Sequence, residues 1–339
     1  MSEKKINGRV QSRRGIYVML ILGIVFAIIL GFFLPWNIAG LPRQTHPAQN
    51  YEDAAQRIQA LQAGESALNP VCRTQFLTHG SKTERVIVFA HGYTSCPAQY
   101  SELGKRFYAL GYNVLIVPVP RHGLADRMTD EQGKLTAEEL AGYANQVVDI
   151  AQGLGDYRIM AGISQGGVIT AWAAQTRSDL DLAVLISPGF GFKEIPTWLT
   201  VPVGNFFQLA PVTYEWWDPK LMEGVDPSYS YPRFTRHALG EIIRLGAAVR
   251  IGAEQTAPAA HAILVVTNAN DTSVNNELTA QIVQDWKNHQ AELSTFEFAS
   301  HMGLPHDLID PNSPGGNIEA VYQRLIELIG QYASRKIRL

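Results

Sequence analysis

Residues 157–166 read YRIMAGISQG, and this stretch decides the fold. Its first part is apolar and β-branched, as in a buried strand, and a helical pattern begins near Gln165. Gly162 and Gly166 flank Ser164, where larger side chains would collide across a tight turn. This G-x-S-x-G string between a strand and a helix predicts that Ser164 is a nucleophile raised above a sheet. The alternative is an ordinary helix start with a serine in its first turn.

Strand and helix patterns alternate on both sides of this stretch. The predicted strands cover residues 85–90, 113–120, 157–164, 181–188, 262–271 and 294–299. A capping box of Thr136 and Glu139 opens one of the intervening helices, and residues 318–332 form a closing helix. This alternation predicts an α/β fold with a mostly parallel sheet flanked by helices. Residues 189–258 contain no clear strand and are interpreted as an inserted cap.

An acid and a base are expected after the serine, in that order. Asp271 follows the strand at 262–271, where a carboxylate would point across the top of the sheet; it could also serve as a turn residue or helix cap. Two histidines, His301 and His306, come later. We prefer His306 as the base because HDLI leads from it into packed apolar residues, while His301 remains the alternative. These two histidines lack a third ligand at metal-binding spacing, so no metal is predicted.

The loop after the strand at 85–90 begins with His91-Gly92-Tyr93-Thr94. Such a loop lies beside the nucleophile in this arrangement, so the backbone N–H groups of Tyr93 and Gln165 are predicted to form the oxyanion hole. Gly92 would allow the close approach of the main chain. His91 is expected to organise the loop rather than to transfer protons.

The N-terminal part has a different composition. Residues Ile16 to Leu34 are uncharged, and a helix of that length is about 28 Å long, close to the thickness of a bilayer core. The preceding segment, 1–15, is basic, so it is predicted to be cytoplasmic. We therefore expect a transmembrane anchor over 16–35, uncleaved rather than a signal peptide, with the catalytic domain outside the cytoplasm. Residues 36–70 are predicted to be a spacer with a short helix.

Composition narrows the function classes. The net charge is −3, and the sequence contains no basic stripe of the kind that binds nucleic acid. No nucleic-acid partner is therefore predicted. The two cysteines, Cys72 and Cys96, each lie beside a predicted strand end. A disulfide between them and a pair of buried thiols both remain open.

Together, HGYTS at 91–95, RHG at 121–123, GISQG at 162–166, the aspartate after the fifth strand and HDLI at 306–309 resemble the α/β-hydrolase superfamily. The branch that they resemble most contains monoacylglycerol lipases and bacterial carboxylesterases. The resemblance covers about residues 71–335, within a predicted hydrolase domain over 71–339. It implies a triad of Ser164, Asp271 and His306, and a cap that shields a lipophilic acyl chain.

We therefore expect a membrane-anchored serine hydrolase that cleaves carboxylic esters through an acyl-enzyme on Ser164. The expected substrate is a small, lipophilic acyl ester, and no cofactor is required. An acyltransferase or a serine peptidase could use the same triad. A catalytically silent binding protein displayed from a membrane is a further alternative, which the order of the three residue types disfavours.

Overall fold

The computed structural model describes residues 3–222, 229–313 and 317–336. The helices are α1 (Glu3–Phe32), α2 (Tyr51–Ala63), α3 (Ser101–Ala109), α4 (Ala137–Leu154), α5 (Gln165–Thr176), α6 (Thr200–Leu209), α7 (Arg236–Gln255), α8 (Asn276–Asn288) and α9 (Ile318–Lys336). The strands are β1 (Gln75–Leu77), β2 (Thr83–Ala90), β3 (Asn113–Ile116), β4 (Gly155–Ile163), β5 (Leu182–Ile186), β6 (Tyr214–Trp216), β7 (Arg233–Thr235), β8 (Ala262–Asn268) and β9 (Leu293–Phe298).

A seven-stranded sheet in the order β1-β3-β2-β4-β5-β8-β9 forms the centre of the molecule. Strand β1 pairs antiparallel with β3, and the remaining neighbours are parallel. The predicted mostly parallel sheet is thereby confirmed. Strand β3 ends at Ile116, earlier than predicted, because Pro118 and Pro120 lack the N–H that continued pairing needs. The short edge strand β1 carries too few residues for an alternating pattern, and the sequence does not predict it.

The two faces of the sheet carry separate apolar cores. In β2, Val86, Val88 and Ala90 belong to one core, and Ile87 and Phe89 belong to the other. Buried residues of α4, α5, α7 and α8 complete the first core, and residues of α3 and α9 complete the second. Because successive strand side chains point to opposite faces, a continuous apolar run is what a sheet covered on both faces requires.

The segment between β5 and β8 contains α6, β6, β7 and α7. Strands β6 and β7 pair antiparallel, which corrects the expectation of no clear strand between 189 and 258. Three residues per strand are too short for a recognisable pattern. Residues 223–228 of the predicted cap lie outside the described residues. The division into 1–15, 16–35, 36–70 and 71–339 as separate units stays a prediction.

The predicted transmembrane anchor over 16–35 is wrong, because no helix in the described part of the chain is long and apolar enough to cross a membrane. Helix α1 ends at Phe32, and its described side chains begin at Tyr17. The predicted single-pass location with an extracytoplasmic catalytic domain rests on this segment and is corrected with it. The side chains of the basic segment 1–15 lie outside the described residues.

The spacer region contains the predicted short helix, and the two cysteines after it are joined. Helix α2 begins after Asn50, whose side chain accepts the Asp53 N–H, and it packs against α4. Cys72 and Cys96 form a disulfide with their Cα atoms 5.2 Å apart. This resolves the alternatives left by the sequence, and it ties the chain before β1 to the loop after β2.

Candidate active site

Ser164 occupies the turn between β4 and α5 in a conformation that a serine rarely adopts, with φ of 55° and ψ of −116°. The flanking glycines make this turn possible. A Cβ on Gly162 would overlap the carbonyl of Gly166, and a Cβ on Gly166 would overlap the carbonyl of Ala90. The Ser164 N–H donates to the Ile186 carbonyl at 3.0 Å. The sheet therefore imposes the strain and holds the serine at its carboxyl edge.

Asp271 lies just beyond β8, and its two carboxylate oxygens have separate partners. Oδ1 accepts the N–H groups of Ser273 at 2.9 Å and Val274 at 3.0 Å, while Oδ2 is 2.8 Å from Nδ1 of His306. Burial raises the pKa of Asp271, but the hydrogen bond and charge of His306, together with the two amides, outweigh it and lower this pKa below its usual value. The carboxylate is therefore ionised at neutral pH and aimed at His306.

The structure separates the two candidate histidines. The Nδ1 atom of His306 donates to Asp271, which leaves Nε2 free of this bond, and the side chain lines the main cavity. His301 lies in a short turn at Ser300–Met302 and is exposed. The loop that carries His306 is fixed by Asn268, whose Nδ2 donates to the carbonyls of Leu304 at 2.9 Å and Pro305 at 3.0 Å. Sequence reasoning missed this role of Asn268, although an amide at a strand end was a usable signal.

The loop that carries Tyr93 lies against the serine. A Cβ built on Gly92 would be 3.7 Å from the Ser164 Cβ, which is ordinary contact, so the main chain passes close to the nucleophile. Gln165 is the first residue of α5, so its N–H has no acceptor within the helix. The Tyr93 hydroxyl donates to Oε1 of Gln132 at 2.6 Å and accepts the Thr235 N–H at 3.1 Å. The cap is thus hydrogen-bonded to this loop through Tyr93.

His91 fixes the main chain of the loop that carries Tyr93. Its Nδ1 donates to the Gly92 carbonyl at 2.9 Å, and its Nε2 accepts the Val119 N–H at 2.9 Å. Burial, with a smaller contribution from His122, lowers the pKa of His91 to about 3. His91 is therefore neutral at physiological pH with both ring nitrogens engaged, which agrees with the organising role expected for it.

A cavity of about 430 Å³ lies between the sheet edge and the cap. Ser164, His306, Tyr93 and Gln165 line it, and Asp271 reaches it through His306. The structure therefore places four of the five predicted site residues on one cavity and the fifth, Asp271, in contact with His306. Its apolar wall is formed by Phe192, Leu239, Ile242, Ile243 and Val274. In the described ranges of the chain, no three His, Cys, Asp or Glu side chains are grouped to hold a metal.

Comparisons with known structures agree with this fold. The chain is similar to the monoacylglycerol lipase of Paleococcus ferrophilus, with a TM-score of 0.58, 18% identity, and coverage of 76% of this chain and 98% of the other. It is similar to a soluble variant of monoglyceride lipase from Saccharomyces cerevisiae, with a TM-score of 0.55, 13% identity, and coverage of 76% and 91%. It is also similar to a structure from the description of LipS and LipT, two metagenome-derived lipolytic enzymes, with a TM-score of 0.57, 17% identity, and coverage of 78% and 99%.

Sequence comparison decides the family. No curated protein sequence matches the chain significantly. The profile of a hydrolase family described as serine aminopeptidase, S33, matches residues 81–307, which is more than half of the chain. The predicted resemblance to α/β-hydrolases and the prediction of a serine hydrolase are thereby confirmed. The chain belongs to the S33 serine aminopeptidase family of hydrolases.

Proposed function

We propose that this chain hydrolyses carboxylic esters through an acyl-enzyme on Ser164. The observation that carries the proposal is the 2.8 Å contact between Nδ1 of His306 and Oδ2 of Asp271 on the cavity that Ser164 also lines. A base held by a carboxylate beside a strained serine is the arrangement that acyl transfer needs.

In the first step, Nε2 of His306 takes the proton of the Ser164 hydroxyl as Oγ attacks the ester carbonyl carbon. Asp271 holds His306 in the tautomer with a proton on Nδ1 and stabilises the imidazolium that forms. The carbonyl oxygen becomes an oxyanion, which the N–H groups of Tyr93 and Gln165 stabilise. Each such donor is worth about 3 kcal/mol of barrier. Helix α5 adds the positive end of its dipole at the same point.

The tetrahedral intermediate then collapses. The bond between the carbonyl carbon and the alcohol oxygen breaks, and His306 gives its proton to the leaving oxygen. In the second step a water molecule loses a proton to His306 and attacks the acyl carbon. The proton returns to Ser164 as the acid leaves. The cycle consumes one ester and one water and releases one alcohol and one acid.

The cavity wall favours an apolar acyl group. Leu239, Ile242 and Ile243 project from α7 into the cavity and remove apolar surface from water when a chain binds. The structural relatives include lipases and lipolytic enzymes by their printed descriptions. These observations support a small lipophilic ester as substrate and the region 189–258 as the cap that shields it.

A serine peptidase is the second candidate, because the matching family is described as serine aminopeptidase. The same proton transfers would break an amide bond, with an amine as leaving group. Rates on an ester and on the amide with the same acyl group distinguish the two functions. We expect the ester to be the faster substrate, because an alcohol is a better leaving group than an amine and the α7 side chains on the cavity wall are apolar.

The variant Ser164→Ala tests the proposal most directly. Hydrolysis of 4-nitrophenyl butyrate should fall by roughly 10⁶-fold, and labelling by a fluorophosphonate should disappear while the circular dichroism spectrum is kept. Ser178→Ala is a matched control, because Ser178 is an exposed serine beyond α5. Undiminished hydrolysis in the Ser164 variant would rule the proposal out.

A further inference from the structure

The cavity carries a carboxyl group that the proposed reaction does not use. Asp307 follows His306 directly in the chain, and its side chain lines the same cavity. Among the described residues of the lining there is no lysine or arginine. Asp307 is therefore the one acidic side chain that this lining presents to a substrate.

The hydrogen-bond partner of Asp307 is the neutral amide of Gln99. The Gly92 N–H donates to Oε1 of Gln99 at 2.9 Å, which fixes the orientation of that buried amide. Its Nε2 is consequently turned toward Asp307 and lies 2.9 Å from both carboxylate oxygens. Within the described ranges, no basic side chain forms an ion pair with Asp307. A carboxylate here has hydrogen-bond support from Gln99, but neither lysine nor arginine in the described cavity lining balances its charge.

The surroundings of Asp307 set its charge. Burial raises its pKa to about 6, with a further contribution from the neighbouring Asp310, while Gln99 and His306 act in the opposite direction. Above that pH the group is an anion on the wall of a small cavity. Such an uncompensated charge costs free energy of folding, so it is most useful where a ligand supplies the counter-charge.

The reaction determines which part of a substrate meets Asp307. His306 must protonate the leaving oxygen, so the leaving group lies next to His306, in the cavity whose lining also includes Asp307. The acyl arm lies against the apolar wall of α7. The indole of Trp217 also lines the cavity and is held by a 3.0 Å hydrogen bond from Nε1 to Oγ1 of Thr94. An indole face attracts a cation.

We infer that Asp307 is a specificity-determining residue that selects esters whose alcohol part carries a positive charge, such as esters of amino alcohols. The inference rests on the proposed ester hydrolysis through Ser164. Asp307 supplies the counter-charge to the alcohol, Trp217 supplies an aromatic face, and Gln99 holds the carboxylate in place.

A pair of isosteric substrates tests the inference. Butyrylcholine carries a quaternary ammonium, and 3,3-dimethylbutyl butyrate replaces its nitrogen by carbon, so the two esters differ in charge and little in shape. We expect the wild-type enzyme to favour butyrylcholine in kcat/KM by about tenfold. In Asp307→Asn the ratio should fall to about two- to threefold, the share left to an aromatic contact.

Asp156→Asn is the matched control, because it removes the same charge at the opposite end of β4, where Asp156 pairs with Lys82. Its ratio should equal that of the wild type. Both variants are checked by fluorophosphonate labelling, which reports a folded site independently of the ester used.

The ratio of the two rates also has an expected pH dependence that needs no variant. The titratable groups that act on Asp307 are Asp310, His306, Tyr100, Tyr229 and Tyr322. Protonation of Asp307 removes its negative charge, so the preference for butyrylcholine should decline as the pH falls from 7.5 to 5. The charge of choline does not titrate, and any effect of His306 on turnover is shared by both esters and cancels in the ratio.

The outcomes separate the two proposals. If 4-nitrophenyl butyrate is not hydrolysed, the proposed function fails. If it is hydrolysed but the wild-type ratio is near one, or Asp307→Asn and low pH leave it unchanged, the inference about Asp307 fails while the proposed function stands.

Discussion

The turn at Ser164 and the cap above it are packed in different ways. At the turn, Gly162 and Gly166 lie so close to main-chain carbonyls that neither has room for a methyl group. In helix α7, the three atoms nearest to a methyl group on Gly252 all belong to the side chain of Gln175. Large apolar side chains of the cap segment, such as Trp198 and Phe206, are exposed.

The difference follows from what each region does in the proposed reaction. Attack on a carbonyl requires Ser164 Oγ at a fixed point, and backbone contacts define that point because a main chain cannot rotate away as a side chain can. The cap contacts the substrate through apolar side chains, which adapt to different acyl groups with small changes in free energy. Changes on the sheet side should therefore affect turnover, and changes in the cap should affect preference.

The largest effect is expected at the base. His306→Ala should reduce kcat/KM for 4-nitrophenyl butyrate by roughly 10⁴- to 10⁶-fold, because His306 is the base that Asp271 holds, and the described residues offer Asp271 no second one. His301→Ala is the matched control on the same loop, and we expect it to retain activity within about twofold. A collapse of activity in the His301 variant and its survival in the His306 variant would reverse the assignment.

Adding a methyl group to one glycine of the Ser164 turn and to one glycine of α7 tests the comparison through the free energy of unfolding. Gly166→Ala forces a Cβ into the Ala90 carbonyl, so we expect a loss of about 3 kcal/mol or more in the free energy of unfolding, with loss of labelling. Gly252→Ala lies within α7, where alanine gains helix propensity and Gln175 can move aside. That variant should stay within about 1 kcal/mol of the wild type. Urea denaturation measures the free energy of unfolding of both variants. Equal losses in this free energy would contradict the proposed difference between the turn and α7.

The smallest effect is expected on acyl preference. Ile242→Val removes one methylene from the cavity wall and should shift the ratio of kcat/KM for hexanoate over butyrate esters by about two- to fivefold toward hexanoate. Ile282→Val makes the same change at a buried residue of α8 that is not part of the lining of this cavity. Its ratio should not change, although both variants should lose about 1 kcal/mol of stability. An unchanged ratio for Ile242→Val would exclude this wall as the acyl site.

Several strands of the fold could be predicted from the sequence alone. The apolar runs that became β2, β4, β5 and β8 are readable because a strand covered on both faces needs them. The short strands β1, β6 and β7 were not readable, since three residues cannot show a period. The anchor over 16–35 was wrong, because no helix within the described residues is both long and apolar enough to span a bilayer.

The sequence by itself determined the need for Gly162 at the Ser164 turn, since a Cβ there would meet the Gly166 carbonyl only four residues along the chain. It also determined the order of strands and helices along the chain. The need for Gly166 comes from the tertiary structure, because its conflict is with the Ala90 carbonyl at the end of β2. Only the tertiary structure decided that His306 rather than His301 meets Asp271, that Asn268 holds the His306 loop, and that Cys72 joins Cys96. These contacts link residues far apart in sequence, and their distances depend on how the whole sheet brings its strand ends together.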